Sequence, residues 1–308
     1  MAAFGGGQEE KAQQYIADAE KLLKKKWSLF SSTTKNEDAA ECYDKAARCY
    51  KVARNMEEAG NCYERAAEQH EITKSAHESA RAYVEAAKCR KSVEPSSAVE
   101  AFLKAIAIYN ESGGFQQAGK MLQEVGEIYE AEGMTDDAVN SLQKASEYLA
   151  GEGCVSQANA CLVKVAGIVS KDAENPNLTL AAEIYEKLGR SCMEKKLLAM
   201  NAKGYWLQTG LCLLAQGDTV AARNKQRDFT SVDYTFDDSR EYRLVAGMFR
   251  TTALGRCVLR LMSAVQSPIP PTLANPIAST VFRGHRIVSV GNEYTLRRGR
   301  TAGSFGRD

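Results

Sequence analysis

The sequence has little of what marks several large classes of protein. No apolar run approaches the roughly 18 uninterrupted residues of a membrane-spanning helix. Three histidines leave few groups for metal binding or acid–base chemistry. A formal net charge of +1 argues against binding nucleic acid through bulk charge. Residues 1–7 lack the basic start and apolar core of a secretory signal, so we expect a cytoplasmic protein whose nine cysteines are reduced.

Proline is scarce before residue 250, and the composition changes there. Four of the six prolines fall within residues 268–276. Residues 251–308 also hold eight arginines, no lysine and two acidic residues, which gives them a charge of +6, against −5 for residues 1–250. We therefore treat residues 250–308 as a divergent, Arg- and Pro-rich tail, for which order and disorder both stay open. The first 250 residues have the mixed composition of a globular protein.

A repeat of about twenty residues runs through that first part of the chain. Residues 39–47 read A-A-x-x-Y-x-x-A-A, and the pattern returns at residues 59–67 and 79–87 with Gly or Ser in place of one alanine. Weaker copies begin at residues 98, 118, 138, 158 and 181, with steps of 19 to 23 residues. Such a regular step predicts a stack of similar units.

Within each copy the apolar positions fall at i, i+4, i+7 and i+8, which is one face of an α-helix. A helix of about 14 residues with a short turn fills each step, and glycines such as Gly113 and Gly133 stand where turns are expected. The pattern predicts an all-α, tetratricopeptide-like solenoid of antiparallel hairpins with one concave face, and no strand before residue 250. Helix centres are expected near residues 43, 63, 83, 102, 122, 142, 162 and 185.

Signals for enzyme chemistry are incomplete. Residues 114–120 fit G-x-x-x-x-G-K, but Met121 follows where a phosphate-binding loop needs Ser or Thr, and no strand precedes the segment. The cysteines form no C-x-x-C pair and have no histidine pair beside them, so we interpret them as small core residues. We therefore predict no enzyme, no metal site and no cofactor.

Residues 24–36 place large apolar side chains in a Ser- and Thr-rich loop beside a run of lysines. The apolar residues are Trp27, Leu29 and Phe30, and the lysines are Lys24, Lys25 and Lys26. One interpretation is that the apolar side chains fold back onto the first hairpin. The other is that they insert among the headgroups of a membrane, where each lysine would gain about 1 kcal/mol from anionic lipid.

Five strings of this sequence carry a resemblance to a known family. They are W-S-L-F at residues 27–30, F-L-K-A-I-A-I-Y at 102–109, G-E-I-Y-E at 126–130, C-L-V-K-V-A-G at 161–167 and D-S-R-E-Y-R-L at 238–244. In their order and spacing they resemble the α-SNAP (soluble NSF attachment protein) family over about residues 10–249. The strings are specific together, and each alone would be weak.

The resemblance implies a right-handed twisted sheet of helical hairpins capped by a C-terminal bundle. Together with the repeat and the composition, it divides the chain into an N-terminal helix (1–23), a membrane-contacting loop (24–36), the repeat sheet (37–200), the start of the bundle (201–249) and the divergent tail (250–308). Members of the family bind the four-helix SNARE bundle, with its syntaxin-type proteins, and recruit the AAA+ ATPase N-ethylmaleimide-sensitive factor (NSF). They serve membrane fusion, including ER–Golgi transport, as cytoplasmic proteins peripheral to secretory and endocytic membranes.

The resemblance also assigns contacts to the acidic SNARE surface. The family's basic positions correspond to Arg54, Lys120, Lys164 and Lys203 of this chain. Three further positions where the family is expected to be basic hold Gly114, Ala160 and Ala199 instead. Binding is therefore expected to be weaker or differently distributed. Each lysine taken alone is equally well a solvated surface charge.

The tail departs from the family, whose members end in an acidic, leucine-bearing segment that stimulates the ATPase. A tail of +6 cannot take that place at a basic docking surface. The composition fits a shifted reading frame or an alternative exon, and we expect residues 257–265 to form one helix at most before the prolines. Two alternatives stay open: a form that binds SNAREs without stimulating the ATPase, and a scaffold for another protein partner.

Overall fold

A computed structural model describes residues 2–24, 32–172, 176–194, 198–248, 285–290 and 293–298. The chain divides into two compact units, residues 1–165 and 166–308. The first contains α1 (Ala2–Lys24), α2 (Ser32–Ala53), α3 (Met56–Ile72), α4 (Ala76–Arg90), α5 (Pro95–Glu111), α6 (Phe115–Ala131), α7 (Thr135–Gly151) and most of α8 (Val155–Lys171). All eight expected centres lie within helices, and the described part of residues 1–250 contains no strand, so the predicted all-α repeat is confirmed.

Consecutive helices from α1 to α7 pack against each other. Because turns of a few residues join α2 to α7, neighbouring helices run antiparallel and alternate helices run parallel. The stretch of residues 24–36 does not stay a loop throughout, since α1 reaches Lys24 and α2 begins at Ser32. Ser and Thr are favoured at helix starts, which accounts for the early beginning of α2. The other domain boundaries and the handedness of the twist stay predictions.

Small residues of the repeat let neighbouring helices approach closely. Ala46 and Ala47 are completely buried, and Tyr43, on the same face of α2, is 4% exposed. At Gly126 of α6 an added Cβ would lie only 2.7 Å from Cγ of Leu142 in α7. The short distance between the helices therefore requires Ala or Gly at these positions. The larger residue of each repeat, such as Tyr43, fills the space beside them.

The turns use a left-handed residue just before the next helix starts. Gly133 takes this place with φ of 76°, and Arg54 and Lys74 take the corresponding place with φ of 64° and 59°. Such a conformation costs a residue with a side chain roughly 1–2 kcal/mol. Arg54 therefore takes this unfavourable conformation because the turn between α2 and α3 requires it.

The second unit contains α9 (Leu178–Met193), α10 (Ala199–Ala215), α11 (Thr219–Val232) and α12 (Arg240–Met248). Trp206 of α10 is its central core residue, stacked on Phe229 at 4.9 Å and edge-on to Phe236 at 5.1 Å between ring centroids. Its indole reaches the backbone of α9, because an added Cβ at Gly189 would lie 2.5 Å from Nε1 of Trp206. Among the described residues, no helix is both long and apolar enough to cross a membrane.

The tail contains a β-hairpin, where the composition indicated no regular structure beyond a single helix. Strands β1 (His285–Val290) and β2 (Glu293–Arg298) pair antiparallel, with His285 opposite Arg298 and Val290 opposite Glu293. The signal was present, since a Gly-Asn pair between the segments H-R-I-V-S-V and E-Y-T-L-R-R, which contain β-branched and aromatic residues, favours a two-residue hairpin turn. The helix expected over residues 257–265 lies outside the described residues.

Two glycine substitutions test the close packing of the second unit. Gly189→Ala should destabilise the protein by about 1–3 kcal/mol, since Trp206 would have to move. Gly204→Ala in α10 should stabilise it by about 1 kcal/mol, because this glycine is exposed and its Cβ would meet nothing within 4 Å. Urea unfolding followed by circular dichroism measures both. Equal changes in the free energy of unfolding would show that α9 and α10 leave room for a methyl group at Gly189.

Candidate functional site: a lysine-bearing face of the helical repeat

Helices α6 and α8 lie side by side in the first unit. Two hydrogen bonds join them, Cys161 Sγ to Gln123 Oε1 (3.7 Å) and Lys164 Nζ to Glu127 Oε1, and a third joins Gln116 Nε2 of α6 to Sγ of Cys154 (3.1 Å), the residue just before α8. The partners are separated by 38, 38 and 37 residues, so both helices advance together in the same direction. One face of α6 is thereby tied to one face of α8.

The same face continues to the end of α4. Lys91 Nζ lies 2.6 Å from Glu124 Oε2 and 3.7 Å from Glu127 Oε2. Lys120 lies on this side of α6 as well, because it precedes Glu124 by four residues and Glu127 by seven. We call this surface the lysine face, defined by Lys91, Lys120, Glu124, Glu127 and Lys164. Two of the four expected SNARE contacts, Lys120 and Lys164, meet here.

Lys120 and Lys164 differ in their surroundings. Lys120 is exposed and forms no ion pair among the described residues. Lys164 has a side chain 37% exposed and pairs with Glu127. Lys120 can therefore meet an acidic partner freely, whereas Lys164 already has a carboxylate beside it.

Lys203 connects two parts of the second unit. Its Nζ donates to the backbone oxygen of Thr235 (3.1 Å) and to Thr235 Oγ1 (2.8 Å), and lies 3.9 Å from Asp233 Oδ2. Its side chain is only 22% exposed. These contacts join α10 to the segment after α11, so much of what Lys203 does is structural.

The remaining expected contacts fall elsewhere. Arg54 is exposed at the turn between α2 and α3, and Lys24 is exposed at the end of α1, with Glu20 Oε2 at 3.6 Å. The other residues of the expected membrane contact, namely Lys25, Lys26, Trp27, Leu29 and Phe30, lie outside the described residues. Where the expected basic residue is missing, Gly114 is the N-cap of α6, and Ala160 and Ala199 lie in α8 and α10.

Lys91 and Glu127 belong to the lysine face, but no motif in the sequence pattern marks them as site residues. Glu127 stands in the G-E-I-Y-E string, but nothing in a one-dimensional pattern shows that its carboxylate reaches both α4 and α8. Lys91 follows directly after α4, at a turn where a solvated charge is the ordinary expectation. The separation of 37 residues between Glu127 and Lys164 was the available signal, since alternate helices are about 40 residues apart.

The near-match to a phosphate-binding loop is part of the helix packing. Gly119 lies inside α6, where an added Cβ would be 2.9 Å from Cγ of Leu149. Burial raises the pKa of the Cys62 and Cys212 thiols to about 12, which keeps both protonated and unreactive at neutral pH. Within the described ranges, no group of three His, Cys, Asp or Glu side chains could hold a metal ion.

Antiparallel helical hairpins with a charged face define a helical-repeat protein suited to bind another protein. The family model described as "Soluble NSF attachment protein, SNAP" matches residues 10–255. The chain belongs to this family.

Relatives from distant organisms cover most of the chain. An alpha-soluble NSF attachment protein of Vitis vinifera is 34% identical over 239 residues, covering 78% of this chain and 81% of the relative. Its counterpart in Dictyostelium discoideum is 39% identical over 247 residues, covering 79% and 84%. A solved structure of a Podospora kinesin light chain with TPR-like repeats has a TM-score of 0.42 at 16% identity, covering 65% of this chain and 97% of that one. The likeness to that structure is too distant to bear on function.

The stability of two lysine variants should show that Lys203 contributes to folding, whereas Lys120 does not. Lys203→Met should lower the free energy of unfolding by about 1 kcal/mol, because it removes the hydrogen bonds to Thr235. Lys120→Met should leave the free energy of unfolding unchanged within about 0.5 kcal/mol, as expected for an exposed side chain. Urea denaturation of each variant measures the difference. An unchanged stability of the Lys203 variant would contradict this contribution.

Proposed function

We propose that this protein is a non-enzymatic adaptor that binds SNARE complexes and recruits the AAA+ ATPase NSF to disassemble them. Its place is the cytoplasm, peripheral to membranes of the secretory and endocytic pathways. The observation that carries the proposal is the lysine face of this member of the SNAP family, where Lys164 pairs with Glu127 of α6 and Lys120 lies two turns earlier on the same side of α6. The proposal includes no catalytic step in this chain, because the ATPase supplies the chemistry.

Electrostatic attraction should bring the adaptor and the SNARE bundle together. The surface of a SNARE bundle is acidic, and an opposite charge on the adaptor speeds the encounter and orients it. A long helical bundle also suits a repeat protein, because parallel helices such as α6 and α8 present their side chains at regular intervals. Attraction of this kind is screened by salt, with a Debye length of about 8 Å at physiological ionic strength.

Binding should depend most on Lys120 and Lys164. Arg54 is exposed and can add to the attraction from the turn between α2 and α3. Lys203 contributes less, since its ammonium group is already held by Thr235 and Asp233. With Gly114, Ala160 and Ala199 where basic residues are expected, binding should be weaker than in the family or differently distributed along the chain.

Reversing the charges of Lys120 and Lys164 should weaken binding to a soluble SNARE bundle. We expect Lys120→Glu with Lys164→Glu to raise Kd by about tenfold or more at low salt, and the wild-type Kd itself to rise with salt. The matched control is Lys144→Glu on α7, which is also exposed but lies off the lysine face. Titration by fluorescence anisotropy gives the three affinities.

The control reverses one charge and the double variant two, so a control loss of half the double variant's loss in binding free energy, or more, would leave only a general effect of net charge. An unchanged affinity in the double variant would place the interface on another face. Adding NSF and ATP to the same complexes decides the alternative concerning the tail. Binding without stimulated disassembly would identify an adaptor whose residues 250–308 prevent activation.

For residues 24–36 we propose contact with an anionic membrane. The support is the sequence of three large apolar side chains beside lysines, together with the exposure of Lys24 at the end of α1. Attachment to the membrane would raise the effective concentration of adaptor near a membrane-anchored bundle. It would add nothing for a bundle free in solution.

Trp27→Ser with Phe30→Ser should lower binding to anionic liposomes, measured by flotation. The same variant should slow NSF-driven disassembly of membrane-anchored SNARE bundles more than that of soluble ones, because only the former benefit from a shared surface. Equal slowing in both formats would support the other interpretation, in which these side chains fold back onto the first hairpin. Circular dichroism of the variant checks that folding.

A further inference from the structure

Glu127 lies at the centre of the lysine face and connects three helices. Lys164 of α8 donates a hydrogen bond to its Oε1, and Gln123, one turn earlier in α6, donates to the same oxygen at 3.0 Å. Its other oxygen, Oε2, lies 3.7 Å from Lys91 Nζ at the end of α4. The side chain of Glu127 is 29% exposed, against 37% for that of Lys164 and 38% for that of Lys91, so the cluster is open to a partner from solution.

The carboxylate is charged at neutral pH. Burial acts to raise the pKa of Glu127, but the hydrogen bonds from Lys164 and Gln123, with the charges of Lys164 and Lys91, outweigh it and hold the pKa below its usual value. A full negative charge therefore lies beside Lys164 at neutral pH. An acidic partner that approaches Lys164 meets Glu127 as well.

The charge of the whole face shows how much this matters. Lys91, Lys120 and Lys164 supply three positive charges, and Glu124 and Glu127 supply two negative ones, which leaves one net positive charge. Removing the charge of Glu127 would double that net charge. Glu127→Gln would therefore change the electrostatic potential of the lysine face strongly while keeping the shape of the side chain.

We propose that Glu127 limits the affinity of the lysine face for an acidic helical bundle by holding Lys164 in an internal ion pair. The proposal rests on the proposed function and names a residue that sets its strength. A helpful orienting role is disfavoured, because an ammonium group on a flexible stem has three donors and needs no fixed plane to meet a carboxylate. Release of Lys164 from Glu127 therefore loses little geometry and gains a free charge.

The test compares the full-length wild type with Glu127→Gln, which keeps the shape and a hydrogen-bond acceptor. The probe is a preassembled soluble SNARE four-helix bundle, titrated by fluorescence anisotropy over a series of salt concentrations. We expect Kd to fall by about threefold to tenfold at low salt, with a steeper rise of Kd as salt increases. The matched control is Glu147→Gln on α7, which makes the same chemical change on an exposed residue off the lysine face and should leave Kd unchanged.

A Lys164→Met background identifies the mechanism. If Glu127 acts through Lys164, the gain from Glu127→Gln should shrink in that background, whereas a general charge effect would keep the full gain. Glu127→Ala serves as a second variant, and circular dichroism confirms that each variant is folded.

The outcomes separate this inference from the proposed function. If the wild type binds the bundle and Glu127→Gln binds it equally or more weakly, the inference is overturned and the proposed function stands. The inference is overturned as well if the gain is the same without Lys164. If the wild type fails to bind even at low salt, the proposed function is overturned, and the inference with it.

Discussion

The close approach of neighbouring helices is the constraint on which the rest of the first unit depends. Ala46 and Ala47 are completely buried, and Gly126 has no room for a single methyl group beside Leu142. Once one face of each helix is fixed at this distance, the turns, the rotation of each helix and the side chains of the opposite face follow. The lysine face is a consequence of packing that occurs on the other side of α6.

Ion pairs between alternate helices depend on the same constraint. Lys51 of α2 lies 3.1 Å from Glu85 of α4, and two hairpins further along the chain Lys164 of α8 pairs with Glu127 of α6. Exposed pairs of this kind contribute about 1 kcal/mol at most to stability. In the proposed function their larger effect would be on binding, because they decide which charges are available to a partner and which are already compensated.

The fold was predictable from the sequence because its signal repeats. Eight copies of one pattern place eight helices, whereas one Gly-Asn turn in the tail was too isolated to outweigh the surrounding prolines and arginines. The site was predictable only in part. The family resemblance located Lys120, Lys164 and Lys203 along the chain, but Lys91 and Glu127 required the contacts between helices 33 to 37 residues apart. Such contacts depend on the rotation of each helix, which periodicity alone does not fix closely enough.

A position carried over from a family therefore fixes where a charge is, and its neighbours fix what the charge can do. Lys120, Lys164 and Lys203 are all expected from the family resemblance to contact the partner, yet among the described residues Lys120 has no ion pair, Lys164 is paired with Glu127 and Lys203 is held by Thr235. An acidic partner gains the full attraction of the first, a reduced attraction of the second and least from the third, whose donors are already used. The affinity of such an adaptor is thus set as much by the acids and hydroxyls around its lysines as by the number of lysines.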